Sequence, residues 1–389
     1  MAQARPFGVY VHFPYCAHRC PYCDFAVTTA PIPAGGRYAR AVLAELALRA
    51  PPFEPMELVS LYLGGGTPSR WAVEEVAEVI AAVRGQFHRG GSDAARTELE
   101  VTIEANPESC DAARVRGWRD AGVNRVSIGV QSFDPGVLGQ LGRRHDATAA
   151  ARAISTVAGI IENVSVDLIY AARRSSVASA ADDAARAVAA GAVHVSAYAL
   201  TLDPAVMAEE VPLARAARRL AMPGDDEAVA QARAIRAALR RAGLRRYEVS
   251  NFARPGRESV HNRLYWEGES YLGLGAGAAG CLRGDPARGE PSVRWQDLRD
   301  APAWLSAVEA GQRPTGEEDR FDAAADRVER IMLATRTRRG VALDLLGKAG
   351  RREVAALCAH RLAVVQGDRL VLTSRGLELQ TAVAERLSR

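Results

Sequence analysis

Three of the chain's six cysteines fall within eight residues, in Cys16-Ala-His-Arg-Cys20-Pro-Tyr-Cys23. Thiolates at this C-x3-C-x2-C spacing can face one centre, and thiolates are the usual protein ligands of iron–sulfur clusters. A 4Fe-4S cubane held by three cysteines keeps one iron open. That iron can chelate the amino and carboxylate groups of S-adenosylmethionine (AdoMet), and the reduced cluster can cleave its sulfonium to a radical. Two other readings of the same residues stand beside this one. A structural zinc site could take His12 or His18 as its fourth ligand, although no second C-x2-C arm is present. A redox C-x-x-C could use Cys20 and Cys23, but it leaves Cys16 without a role.

Other segments put glycine or polar residues at the ends of expected strands. Leu63-Gly64-Gly65-Gly66-Thr67-Pro68-Ser69 lacks β-carbons where backbone amides could approach a ligand, or where the chain only turns tightly. Glu104, in Thr102-Ile103-Glu104-Ala105-Asn106-Pro107, could accept from ribose hydroxyls or an ammonium, or be a solvated strand end. Ser127-Ile128-Gly129-Val130-Gln131-Ser132-Phe133 and Tyr247-Glu248-Val249-Ser250-Asn251-Phe252 follow in order.

With the cysteine motif, these segments resemble the radical AdoMet superfamily. The branch they are most similar to contains oxygen-independent coproporphyrinogen III dehydrogenase and the HemW-type heme chaperones. The resemblance covers nearly the whole chain. It implies that Cys16, Cys20 and Cys23 hold the cluster and that Gly65, Gly66, Thr67 and Glu104 surround AdoMet. Tyr10, six residues before Cys16, matches an AdoMet-contacting tyrosine, and Tyr22 inside the cysteine motif joins the expected cofactor contacts. Gln131, Arg143 (in Leu141-Gly142-Arg143-Arg144-His145) and Asp167 (in Val166-Asp167-Leu168-Ile169-Tyr170) match positions that contact a second AdoMet in the dehydrogenase. Two departures stand out. Ala171-Ala172-Arg173-Arg174 replaces the family's Gly-Leu-Pro-Gly, and Ala279 takes a histidine's place in Gly275-Ala276-Gly277-Ala278-Ala279-Gly280.

Within the branch, His261-Asn262-Arg263-Leu264-Tyr265-Trp266 resembles the His-Asn-x-x-Tyr-Trp motif of the chaperones, which is tied to heme binding. A neutral imidazole can ligate heme iron, and the aromatics could pack on a macrocycle. The plainer alternative is a turn with Asn262 as a helix cap. The continuation Cys23-Asp24-Phe25 also matches the chaperones, since the dehydrogenase carries a further cysteine there. Only fifteen residues precede Cys16, against the dehydrogenase's longer arm. The resemblance thus implies a chaperone that binds heme at His261, draws on an electron donor for its cluster and passes heme to an acceptor protein. The alternatives are an oxidative decarboxylase of coproporphyrinogen III and an enzyme acting on heme itself.

These residues need strand ends to carry them. Expected strands are Gly8–His12, Leu58–Leu63, Leu99–Glu104, Arg125–Val130, Val164–Ile169 and His194–Ala199. Helical-period stretches lie between them, among them Tyr38–Arg49, Ala72–Arg84, Asp111–Ala121 and Thr148–Val157. This alternation predicts an α/β fold with parallel strands, either an incomplete (βα)6-type barrel or an open doubly wound sheet. The resemblance selects the barrel. After a weak pattern from Thr201 to about Gly224, a helix is expected at Asp226–Ala242, a strand at Arg246–Asn251 and a glycine-rich loop at Gly268–Val293. Helix, helix, hairpin and helix then predict a small α+β, winged-helix-like unit that serves structure. The expected divisions are 1–225, 226–318 and 319–389.

Composition bounds the rest. Fifty basic and 46 acidic residues give a net charge of +4, too near neutral to argue for nucleic acid or a membrane surface. Lys348 is the only lysine, as in proteins from GC-rich genomes. The start, MAQARPFGVYVHF, shows no basic-then-apolar signal segment, and no apolar run approaches a membrane span. A cytoplasmic protein is expected, with Cys110, Cys281 and Cys358 as core residues.

Overall fold

The computed structural model describes residues 4–87, 98–202, 222–285 and 288–389. The weak stretch after Thr201 falls mostly outside them. Six parallel strands form the frame: β1 (Pro6–Phe13), β2 (Glu57–Gly65), β3 (Glu100–Ala105), β4 (Arg125–Gln131), β5 (Asn163–Tyr170) and β6 (His194–Ala199). They pair in sequence order, β1 with β2 through β5 with β6. Helices Arg37–Arg49, Val73–Phe87, Ala112–Asp120, Ala147–Ala158 and Val177–Ala189 make the crossovers. Short polar side chains start several of them. Asp111 accepts from the Arg114 amide, Asp146 from the Ala149 amide, and Ser176 forms a capping box with Ser179.

The strands alternate between two environments. In β4, Val126, Ile128 and Val130 are fully buried against the outer helices. Arg125, Ser127, Gly129 and Gln131 line an interior cavity. Side chains two apart share a strand face, so the barrel has an apolar outer layer and a polar, hollow inside.

The later strands extend this sheet. β7 (Arg245–Arg246), β8 (Asn251–Ala253), β9 (Ser270–Leu274), β10 (Ala279–Leu282), β11 (Ser292–Asp297) and β12 (Thr315–Phe321) complete twelve strands in the order β12-β11-β10-β9-β1-β2-β3-β4-β5-β6-β8-β7. β9 lies parallel to β1, and β6 pairs antiparallel with β8.

Two expectations change here. The glycine-rich stretch Gly268–Val293 is not a loop but holds β9, β10 and the start of β11. Its glycines allow close strand contact: a β-carbon on Gly273 would fall 2.1 Å from the Ala279 carbonyl oxygen, and one on Gly280 2.1 Å from the Trp295 ring. The single strand at Arg246–Asn251 is instead two short ones. The Glu248 carboxylate folds the chain between them by accepting from the Ser250 amide and the Asn251 side chain, each at 2.7 Å.

The carboxyl-terminal residues hold helices Ala323–Ala334, Lys348–Ala359 and Gln380–Ser388 around an antiparallel sheet of β13 (Val341–Ala342), β14 (Ala363–Gln366) and β15 (Arg369–Leu372), with β15 central. Ile331, Leu357, Leu370 and Leu387 form a separate core there. Among the described residues no helix is long and apolar enough to cross a membrane.

Candidate functional site

A cavity of about 940 Å³ opens at the carboxyl ends of β1–β6 and runs down into the barrel. Every expected site residue lines it: Tyr10, Cys16, Cys20, Tyr22, Cys23, Gly65, Gly66, Thr67, Glu104, Gln131, Arg143, Asp167 and His261.

The cysteine loop follows β1 and is pinned by backbone bonds. The Cys16 amide donates to the Thr28 carbonyl at 2.9 Å, and the Thr28 amide to Pro14 at 2.8 Å. All three thiols are free and partly exposed to the cavity. Thr67 Oγ1 donates to Cys16 Sγ at 3.4 Å, and the Arg143 guanidinium to Cys20 Sγ at 3.6 Å. Burial, more than any neighbour, pushes the Cys23 thiol up to about 11 and raises Cys16 as well. Thiols of this kind ionise when a cation joins them. Among the described residues no three His, Cys, Asp or Glu side chains converge on a single metal ion. A cubane does not require that, because each thiolate binds a separate corner iron. Three free thiols on one loop, with donors aimed at two sulfurs, fit such a cluster.

The glycine loop packs tightly against its neighbours. Gly65 has a φ of +111°, and a β-carbon there would lie 2.6 Å from the His12 ring. One on Gly64 would meet Tyr62 and Tyr10, and one on Gly66 the Pro14 carbonyl. The Gly65 amide donates to Glu104 Oε2 at 3.0 Å and the Gly66 amide to the Phe13 carbonyl at 2.8 Å. The missing β-carbons therefore admit β1 side chains, and these two amides are not free for a ligand. His12 is held in turn. Its Nε2 donates to the Ala26 carbonyl at 2.9 Å, so Nδ1 accepts from the Tyr10 hydroxyl at 2.9 Å. Burial pushes this imidazole down to about 4.

Glu104 accepts from the Tyr62 hydroxyl at 2.8 Å and from Gly65. Burial raises its carboxyl to about 7 despite the Tyr62 bond, and Asp167 adds to the rise. Asp167 accepts from Ser127 at 3.2 Å, and burial raises it too. Arg143 bridges three elements, donating to Asn106 Oδ1 at 2.6 Å and the Gly129 carbonyl at 2.7 Å as well as to Cys20. Gln131 sits at φ +69°, after a register shift in the β4–β5 pairing. Tyr22 packs on Val137, Leu141 and Ala172.

His261 lies in the helix Val260–Glu267, which Ser259, not Asn262, caps. Its ring is buried in the cavity wall and both nitrogens are taken, Nδ1 by Ser60 Oγ at 2.8 Å and Nε2 by the Tyr265 hydroxyl at 2.9 Å. Trp266 lies under the Arg336 guanidinium, 4.3 Å from its ring centroid. Burial alone pushes the His261 imidazole down to about 3. An open axial ligand at this position is not what the geometry offers.

The departures are also placed. Ala171 holds a left-handed φ of +57°, where the family has glycine. Arg173 and Arg174 are exposed and line a separate hollow with Pro135, Gly136, Gly139 and Gln140, away from the large cavity. Ala279 opens β10 and pairs with Gln296.

Sequence reasoning missed the polar lining formed by Tyr62, Arg125, Ser127, Ser165, His194, Ser196 and Tyr198. The signal was present as period-two polar residues inside otherwise apolar strands, such as His194, Ser196 and Tyr198 in β6.

Comparison with known proteins gives the chain's family. The radical SAM superfamily model matches residues 10–176. The chain is 38% identical to the heme chaperone HemW of Mycobacterium tuberculosis over 98% of its own length and 95% of that protein's. With the heme chaperone HemW of Lactococcus lactis it shares 30% identity, covering 98% and 97%. Among solved structures, coproporphyrinogen III oxidase (HemN) from Escherichia coli, a radical SAM enzyme, superposes with a TM-score of 0.78 at 20% identity, over 99% of this chain and 90% of that one. The chain therefore belongs to the radical SAM superfamily and, within it, to the family of the HemW heme chaperones.

Proposed function

We propose that this chain is a cytoplasmic heme chaperone that binds heme in the barrel cavity and passes it to an acceptor protein. The observation that carries this reading is its 38% identity with a heme chaperone over nearly the full length of both chains. Membership of the superfamily implies a 4Fe-4S cluster and AdoMet. Cys16, Cys20 and Cys23 would hold the cluster, which supplies an open iron for AdoMet and an electron from an external donor. Thr67 and Arg143 would steady the cluster thiolates at Cys16 and Cys20. Glu104, poised near neutrality, would accept from AdoMet's ammonium or ribose hydroxyls, and a cation there would favour its ionised form. Tyr10, Tyr22, Gly65, Gly66, Gln131 and Asp167 would complete the pocket wall.

The second reading is oxidative decarboxylation of coproporphyrinogen III, which the fold of the E. coli oxidase raises. At 20% identity that likeness speaks for the fold alone. One experiment separates the two. Anaerobically reconstituted protein is titrated with heme, then incubated with coproporphyrinogen III, AdoMet and reductant. Near-stoichiometric heme binding with a Soret band is expected, and the porphyrinogen should be recovered unchanged. Conversion to protoporphyrinogen IX would reverse the ranking, and absence of heme binding would overturn the chaperone reading.

A further inference from the structure

Among the described residues, three histidines line the cavity: His18, His194 and His261. They differ in what their ring nitrogens already hold. His194 lies between Ser165 Oγ, 2.8 Å from Nδ1, and the Tyr247 hydroxyl, 2.9 Å from Nε2. His261 is held by Ser60 and Tyr265 in the same pattern. These rings are 1% and 2% exposed. A β-carbon on Gly8 would come 3.0 Å from His261 Nδ1, so strand β1 closes over that ring. For either imidazole to reach an iron it must give up a hydroxyl and leave that hydroxyl buried without a partner.

His18 is different. It sits between Cys16 and Cys20 on the cluster loop and lines the same cavity, and both of its ring nitrogens are enclosed with no hydrogen-bond partner, so they are orphaned polar atoms that a ligand would satisfy. The Gly142 carbonyl lies beside its ring. The remaining histidines do not compete. His12 has both nitrogens occupied, and His145 bonds the Val130 carbonyl and does not line the cavity. His360 is on the surface of the carboxyl-terminal unit, and His88 lies outside the described residues. Phe25, 56% exposed on the same loop, offers an apolar face to the same cavity.

We infer that His18, rather than His261, is the imidazole this protein presents to heme iron, so that bound heme lies against the cluster loop. This rests on the chaperone reading above. The test is a titration of cluster-reconstituted, full-length protein with ferric heme, followed by optical and EPR spectra, with iron and sulfide content measured for each variant. His18→Ala should weaken heme binding about tenfold or more, equal to about 1.4 kcal/mol, and shift the Soret band. Added imidazole should restore the wild-type spectrum in His18→Gly. His18→Met, which keeps the loop filled and offers a thioether, should give a spectrum distinct from both. His261→Gln should keep the wild-type band position. Wild-type spectra and affinity in the His18 variants would overturn the inference, as would loss of the histidine-type spectrum in His261→Gln alone. No heme binding by the wild type would instead overturn the chaperone reading and this inference with it.

Discussion

Cys16 and Cys20 each receive a hydrogen bond at sulfur, from Thr67 and Arg143, whereas Cys23 has its thiol pushed up to about 11 by burial. No further cysteine lies on the loop, and Cys110 and Cys281 are buried elsewhere. Replacing any one of the three by alanine should therefore leave no substitute ligand. Iron and sulfide analysis after anaerobic reconstitution should show the wild type near four irons per chain and each variant well below it. Full cluster content in a variant would remove that cysteine from the ligand set. His261 gives a second prediction, one that rests on burial and not on ligation. Its imidazole titrates near 3 in the fold against an ordinary 6.5, because burial disfavours the charged ring. A depressed basic pKa means that the unfolded chain takes up the proton first. The stabilising contribution is intact above pH 6.5 and is lost as pH falls toward 3. Between pH 7 and pH 5 that loss amounts to about 2 kcal/mol. His261→Gln lacks this titration, so its stability deficit relative to wild type should narrow by about that amount at pH 5. Denaturant unfolding at the two pH values measures it. A constant gap would mean that the ring is protonated or solvated in the fold.

The helix Val260–Glu267 owes its place to a carboxylate on another element. Glu100, on β3, accepts from Ser259 Oγ at 3.3 Å, the Val260 amide at 3.0 Å and the His261 amide at 2.9 Å. A buried carboxylate on the first amides of a helix satisfies orphan donors and complements the helix dipole. Glu100→Gln keeps the volume but replaces an acceptor-only group with one that carries donors. It should cost about 2 kcal/mol by denaturant unfolding and speed amide exchange at Val260 and His261. Unchanged exchange would show that Ser259 alone holds the helix end. No motif in the sequence announces this contact, which spans 161 positions. The six parallel strands were legible because β-branched runs and alanine-rich helices differ in period, and His194–Ala199 is found at the bounds the sequence suggests. The cysteine loop was legible because its chemistry is local. Residues 268–293 misled because glycine signals both a turn and close strand contact, and only the partner decides which. At Gly280 the partner is the Trp295 ring, contributed by a strand whose pairing no local pattern fixes. The surroundings of His261 were hidden for a similar reason: its motif is readable, but Ser60, which takes one of its nitrogens, lies 201 residues away.

The molecule as a whole joins its cluster loop to its later strands through a buried charge network. Arg49, at the end of the helix Arg37–Arg49, donates to Glu45 at 3.0 Å, to Asp297 on β11 and to Thr315 on β12 at 2.9 Å. Glu45 accepts from the Gly275 amide at 2.8 Å and from the Trp304 indole at 3.2 Å. The turn that Gly275 begins rests on the cluster side of the barrel. A β-carbon on Gly277 would lie 2.4 Å from the Ala26 β-carbon, and Arg299 donates to the Asp24 carbonyl at 2.9 Å. Burial, with Glu45 adding to it, pushes Asp297 up to about 10, so at neutral pH this acid keeps its proton beside Arg49. Removing the cation from such a network strands buried acid, whereas replacing the protonated acid by its amide changes little. Arg49→Met should therefore destabilise the fold by about 3–5 kcal/mol, and Asp297→Asn by about 1 kcal/mol or less. Because the Gly275–Gly277 turn buttresses Ala26, the Arg49→Met protein should also release iron faster under a chelator while every cysteine is intact. Equal stability losses in the two variants would show that Asp297 is ionised in the fold. Iron release at the wild-type rate in Arg49→Met would show that the cluster loop stands without support from the later strands.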